Sequence, residues 1–281
     1  MKSKIAFFAA CLLTLSLLAG CAASVPAPKA AAVTETTAPA TVTAIPETTV
    51  PETQPATEPT AFVAASTPVT TGPQTQVTVT TADEFIAAIA PDTEIILNSP
   101  LIDLSQATGY GKSSGTYYYW NEEYDGPELY ITGVSNLTIR GSGIDRTANV
   151  LSAVPRYADV LSFENCSNIL VYGFTAGHTK EPGSCAGGVL HFWNSQDILI
   201  ENCGLYGCGI VGVQGDNSRN MQIVNNEIYE CSTGGVYFSN CDDINVDGNT
   251  FRDLGGPEFR VYGCGTITCN GEPVQDFSPR Q

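Results

Sequence analysis

The sequence predicts an all-β fold, a single-stranded solenoid of about six to seven coils with a helical cap at its N-terminal end. Two observations carry that expectation. The first is a repeat. Take as zero the residue before each short apolar strand: Asn136, Asn168, Asp197, Asn220, Asp243 and Thr266. Successive marks are 32, 29, 23, 23 and 23 residues apart. Position minus seven then reads Leu129, Leu161, Leu190, Val213, Val236 and Phe259, and position minus five reads Ile131, Phe163, Phe192, Gly215, Phe238 and Val261. Plus one runs Leu137, Ile169, Ile198, Met221, Ile244, Ile267; plus three runs Ile139, Val171, Ile200, Ile223, Val246, Cys269; plus eight runs Ile144, Ala176, Leu205, Ile228, Phe251, Val274. Of these 30 positions 29 are apolar, where the 43% apolar content of the chain would supply about 13, so the repeat is not an accident of register. The second observation is where the amides fall. Asn165, Asn194, Asn217 and Asn240 stand at minus three, and Asn226 and Asn249 at plus six. These are short side chains that bond backbone at a bend and each other up a stack.

Period-two alternation within each strand, with three strands per unit of about 23 residues, describes a chain that coils so that inward side chains stack on their counterparts one turn away. A single coil cannot bury its own apolar face, so stacking is obligatory. Over roughly residues 92 to 276 the pattern resembles the right-handed parallel β-helix of the pectin-lyase-like superfamily. That resemblance implies that the sheet preceding the turn before the second strand forms the floor of a substrate cleft.

Ahead of the coils the chain changes character twice. Lys2 and Lys4, an apolar run from Ile5 to Leu18 and the small residues that follow mark residues 1–20 as an export signal, too short to span a bilayer comfortably. Leu18-Ala19-Gly20-Cys21 resembles the lipobox of bacterial lipoproteins, which implies acylation of Cys21 and anchoring to the outer face of a bacterial membrane. Residues 21–76 read as a disordered linker of Ala, Thr and Pro. Nine of the 17 prolines lie between 22 and 76, and Phe62 is the only aromatic there. Its mean reach is about 40 Å. Residues 77–281 are the β-helix domain, which holds 25 of the 27 glycines. Thr81-Ala82-Asp83-Glu84 matches a capping box, and Phe85, Ile86, Ala88 and Ile89 give an amphipathic helix placed to cover the first coil. The excess length of the early coils becomes loops at 105–127, 146–159 and 178–187.

Charge narrows the partners. Twelve basic residues against 29 acidic ones give −17, and losing Lys2 and Lys4 leaves 10 against 29, or −19. Such a chain is no nucleic-acid binder. Its membrane contact is expected through the lipid alone, and it is expected to be a monomer. On the strand carrying positions minus seven and minus five, the alternate residues must face solvent. Minus six reads Tyr130, Ser162, His191, Gln214, Tyr237, Arg260, and minus four reads Thr132, Glu164, Trp193, Asp216, Ser239, Tyr262. Rings and hydroxyl-bonding groups on one flat sheet suit a polysaccharide. Glu164 and Asp216 share a column one coil apart from Trp193, about 9.6 Å from each other along the backbone. That spacing suits an inverting glycosidase, with His191 assisting and Trp193, Gln214, Tyr237 and Lys180 holding sugar. Elimination, with His191 or Lys180 removing a sugar proton, is the alternative chemistry that the resemblance implies. A glycan-binding, adhesion or structural module without catalysis is the alternative function. No cofactor is expected: Asp242, Asp243 and Asp247 match no Ca²⁺ loop, and the cysteines lack the spacing of a zinc site. Cys208 with Cys231, and Cys241 with Cys264, share columns in successive coils, where a disulfide becomes geometrically accessible.

Overall fold

A computed structural model of the chain describes residues 72–179, 186–207 and 209–275. The export signal, Cys21, most of the linker, Lys180, Cys185 and Cys208 lie outside the described residues.

Three sheets run side by side along a solenoid, each built by strands from successive coils. The first takes Thr75–Val79, Thr93–Leu97, Ser135–Gly141, Ser167–Tyr172, Gln196–Glu201, Arg219–Val224, Asp242–Asp247 and Ile267–Cys269, all parallel, and ends with Glu272–Pro273 folding back antiparallel. The second takes Leu101–Asp103, Val150–Ala153, Thr175–His178, Gly204–Tyr206, Glu227–Tyr229 and Thr250–Arg252. The third carries the outward row of interest. Its parallel strands are Gly126–Thr132, Leu161–Glu164, Leu190–Trp193, Val213–Asp216, Val236–Ser239 and Phe259–Tyr262. The architecture is the parallel β-helix expected from the repeat.

The register matches the columns read from the sequence. Leu161, Leu190, Val213, Val236 and Phe259 pair in order, as do Ile131, Phe163, Phe192, Gly215, Phe238 and Val261. Residues from Leu161 to Val236 in the first set are fully buried, and the Phe163 and Phe192 rings stack at 4.8 Å between centroids. One column was misread at its start. Ile144 is 96% exposed, and Leu151 occupies the inward position between Ile102 and Ala176. The 32-residue interval inserts its extra length between the first and second sheets, so counting a fixed eight residues from Asn136 lands on a surface turn.

The turns explain the amides. Asn165, Asn194, Asn217 and Asn240 have φ between 48° and 54°, and the marks Asn136, Asn168, Asp197, Asn220 and Asp243 have φ between 50° and 58°. This left-handed region is one that Asn and Asp tolerate better than other side chains bearing a Cβ. Ladders form at the marks and at plus six. Asn136 Nδ2 donates to Asp92 at 2.7 Å, Asn168 Nδ2 to Asn136 at 3.1 Å, and Asn220 Nδ2 to Asp197 at 2.6 Å. Asn226 Nδ2 donates to Asn249 Oδ1 at 3.0 Å. Between the two left-handed residues, the small side chain of the next coil accepts a backbone N–H: Cys166 donates to Ser195, Ser195 to Ser218, and Cys241 to Cys264 Sγ at 3.3 Å. Cys241 is a free thiol, so this pair stacks without a bridge.

At the N-terminal end the helix Ala82–Ala87 buries Ala82, Phe85 and Ile86. Thr81 Oγ1 accepts from Glu84 N at 3.2 Å, while Glu84 reaches back to Thr80 rather than to Thr81. Residues 74–76, assigned to the linker by composition, join the fold: Thr75 and Gln76 open the first strand, and Gln74 Nε2 donates to Asn136 O at 3.0 Å. Two expected loops contain structure. Val150–Ala153 is a strand within 146–159, and Tyr118–Glu123 pairs antiparallel with Gly126–Thr132, extending the third sheet by one strand.

Candidate functional site

Alternation along the third sheet turns positions minus six and minus four outward, and the parallel register places them in rows. Trp193 pairs with Glu164 on one side and Asp216 on the other, so the three side chains stand abreast, as expected. Trp193 is 43% exposed, rare for so large a ring. Gln214 pairs with His191 and with Tyr237, and Tyr237 packs against Tyr262 at 5.7 Å between centroids.

The two carboxylates are held in similar ways. Glu164 Oε2 accepts from Thr132 Oγ1 at 3.1 Å and from Tyr119 Oη at 3.3 Å. Tyr119 comes from the antiparallel strand and stacks on Tyr130 at 5.0 Å. Burial and the charge of Glu164 push its phenol up to about 12, so it remains a donor at any physiological pH. Asp216 Oδ2 accepts from Gln214 Nε2 at 2.8 Å and bonds His191 Nε2 at 2.9 Å. Burial alone opposes its ionisation, but the bonds from His191 and Gln214 prevail and hold its carboxyl below the usual range.

His191 is not the open neighbour of Trp193 that the sequence suggested. It is 7% exposed and lies between two acids: Nδ1 stands 2.9 Å from Asp159 Oδ2, and Nε2 2.9 Å from Asp216 Oδ2. Burial works against its charge, yet hydrogen bonds and Coulomb attraction from Asp159 and Asp216 outweigh that penalty and raise its pKa to about 10. At neutral pH it is an imidazolium donating from both nitrogens, with no lone pair left for a base. The other histidine is its opposite. His178 ends a strand, is buried, and bonds Ala158 O through Nε2 at 2.9 Å; desolvation holds its pKa below the ordinary value.

Behind His191 lies a network absent from the sequence reading. Asp159 Oδ1 accepts from Gly188 N, and Asp159 N donates to Glu128 Oε2 at 2.9 Å. Ser162 Oγ lies 2.6 Å from Glu128 Oε1 and 3.3 Å from Asp159 Oδ2. Burial and the nearby Asp159 raise Glu128 to about 7. A weak signal for it existed: at position minus eight the next four coils have Val160, Val189, Gly212 and Gly235, and an acid recurs only in the last coil, at Glu258. Asp159 had none, because it sits in a loop that belongs to no column.

The remaining candidates divide. Asp242 Oδ1 accepts from Asp243 N and Thr266 N, and Asp247 Oδ2 accepts from Asn245, the bonding of a charged turn. Among the described residues no group of three or more His, Cys, Asp or Glu is placed to hold a metal ion. Lys180 falls outside the described residues.

Comparison with known proteins gives one family match, to the family described as a right handed beta helix region, over residues 121–276. No curated protein resembles the sequence closely enough to count as a match. Among solved structures, a "putative glycosyl hydrolase" from Parabacteroides merdae aligns with a TM-score of 0.43 and 13% identity, covering 72% of this chain and 99% of that one. A likeness of that degree says nothing of activity.

Proposed function

We propose that this chain, which belongs to the right-handed β-helix family, binds a polysaccharide along the row of Glu164, Trp193 and Asp216 on the outer surface of a bacterial envelope. The observation that carries the reading is Trp193. A large ring kept 43% exposed on a flat sheet, with a fixed carboxylate on each side, suits a sugar whose apolar face lies on the indole while its hydroxyls donate sideways. Gln214 and Tyr237 extend the same surface toward the later coils, and Lys180 is proposed to contribute to holding the sugar. The export signal and Cys21 support the location, with an acyl chain on Cys21 as the only membrane contact, no resident cofactor and a monomeric chain.

Cleavage is a second reading, favoured by the spacing of the acids. Backbones two strands apart, about 9.6 Å, leave room for a water between a protonating and an activating carboxyl, as inversion requires. Asp216, held as the carboxylate, takes the part of base, and Glu164 the part of acid. His191 serves this chemistry by fixing Asp216. Elimination is less well supported, because both nitrogens of His191 are engaged.

The test is retention of the full chain on insoluble xylan, cellulose, mannan and pectate, with reducing ends and unsaturated products recorded in parallel. Trp193→Ala is expected to weaken retention about two- to twelvefold, given about 0.5–1.5 kcal/mol for a stacked ring. Wild-type chain that washes off every glycan, or a Trp193→Ala variant retained like the parent, would overturn the reading. Products that form at the parental rate in Glu164→Gln and Asp216→Asn would remove cleavage from it.

A further inference from the structure

The two carboxylates flanking Trp193 share a detail that bears on what they recognise. Among the described residues, every donor to Glu164 reaches Oε2 and every donor to Asp216 reaches Oδ2. Each carboxylate is thereby pinned at one oxygen by two protein donors and keeps the other, Oε1 or Oδ1, to accept from another molecule. In the binding reading both groups act as carboxylates, whose oxygens accept and do not donate. The row therefore presents an acceptor, an exposed indole and a second acceptor, in that order, at successive strand spacings.

We propose that the polysaccharide taken by this row is a neutral one, recognised through hydroxyl groups that donate to Glu164 Oε1 and Asp216 Oδ1, and that uronate-bearing chains are excluded. The inference rests on the polysaccharide reading above and adds the class of sugar to it. A polyuronate carries a carboxylate on each unit, so occupying the row would bring anions against two fixed anions on a chain of net charge −17. Among the described residues no countercharge for such a ligand stands free at the centre, and Lys180, proposed to join this surface, would supply one charge against a carboxylate on every unit. The imidazolium of His191 is 7% exposed and already shared between Asp159 and Asp216. On the outward columns the one guanidinium, Arg260, stands two coils beyond Asp216, in register with Tyr237. Like-charge juxtaposition is how a binding surface rejects the wrong partner, and a charged acceptor bonded to a neutral hydroxyl is how it holds the right one.

Affinity electrophoresis of the full chain tests this. One set of gels contains xylan, β-glucan, glucomannan or galactan; the other contains polygalacturonate, alginate or hyaluronate, all at low ionic strength. The expected result is retardation by at least one neutral polysaccharide and by none of the acidic ones. Glu164→Gln and Asp216→Asn should each weaken the neutral interaction about tenfold, the loss of a charge-assisted bond. The amide substitutions also decide the sign, since they remove repulsion and would strengthen any polyuronate binding. Retardation by an acidic polysaccharide as strong as by any neutral one, or tighter binding of a neutral polysaccharide in either variant, overturns the inference while the polysaccharide reading survives. Retardation by neither set overturns both. Because Asp216→Asn also takes a partner from His191, Glu164→Gln decides alone if the former does not fold.

Discussion

Replacing Asp159 with Asn isolates what the buried clamp contributes. In the parent, His191 titrates at about 10 against an ordinary 6.5, so the native state holds its proton more tightly than the unfolded chain does. The sign follows from linkage: the stabilisation is complete below pH 6.5 and is lost as pH climbs through about 10. At pH 7 the difference amounts to about 4 kcal/mol, since each pH unit between the two titrations is worth about 1.4. An opposite charge at hydrogen-bond distance shifts a titration by about 1–3 units, so Asp159→Asn should bring His191 down to roughly 8 and remove about 3 kcal/mol at neutral pH. The chain has only 2 histidines, so the imidazole region of an NMR spectrum followed from pH 5 to 10.5 resolves both rings. His178, neutral and low-titrating, is the internal contrast. Urea unfolding at pH 6 and pH 10 should show a deficit for the variant that narrows as pH rises, which a simple packing defect would not. A His191 ring that titrates at or below 6.5 in the parent, or a variant curve superimposable on it, refutes the reasoning. If the variant does not fold, the parental titration decides.

Glu128 titrates near 7 instead of 4.5, so the fold loses stability as pH rises between those values; Glu128→Gln should flatten that decline in urea midpoints compared at pH 5 and pH 8. Phe192→Ala should cost about 3–5 kcal/mol in equilibrium unfolding, because its ring is fully buried against Phe163. Leu151→Ala should cost about 2–5 kcal/mol and Ile144→Ser less than about 0.5, a pair that separates the true inward column from the one counted along the sequence. Asn226→Ala should cost about 1–3 kcal/mol, since its buried amide oxygen accepts from the buried Cys203 N, which would be left unpaired.

The site was legible to the extent that it repeats. Glu164, Trp193 and Asp216 could be aligned from sequence because each is a fixed number of residues from a strand that repeats, and a parallel register converts equal offsets into adjacency. His191 was aligned correctly and misjudged in exposure. Nothing in its own coil shows that Asp159 and Gly188, from the loops before two strands, close over it. Tyr119 lies in the insertion at 105–127, which no column covers. Its bond to Glu164 depends on an antiparallel strand that the coil pattern does not contain.

What the sequence determines by itself is therefore the solenoid: which side chains point inward, where the chain turns, and which outward residues share a row. These follow from short-range alternation and from a period that every coil must respect to bury its face. The protonation of His191, the network through Asp159, Ser162 and Glu128, and the true inward residue of the early coil were decided only by the tertiary structure. They depend on insertions of unequal length, and an insertion carries no period from which its landing place can be counted.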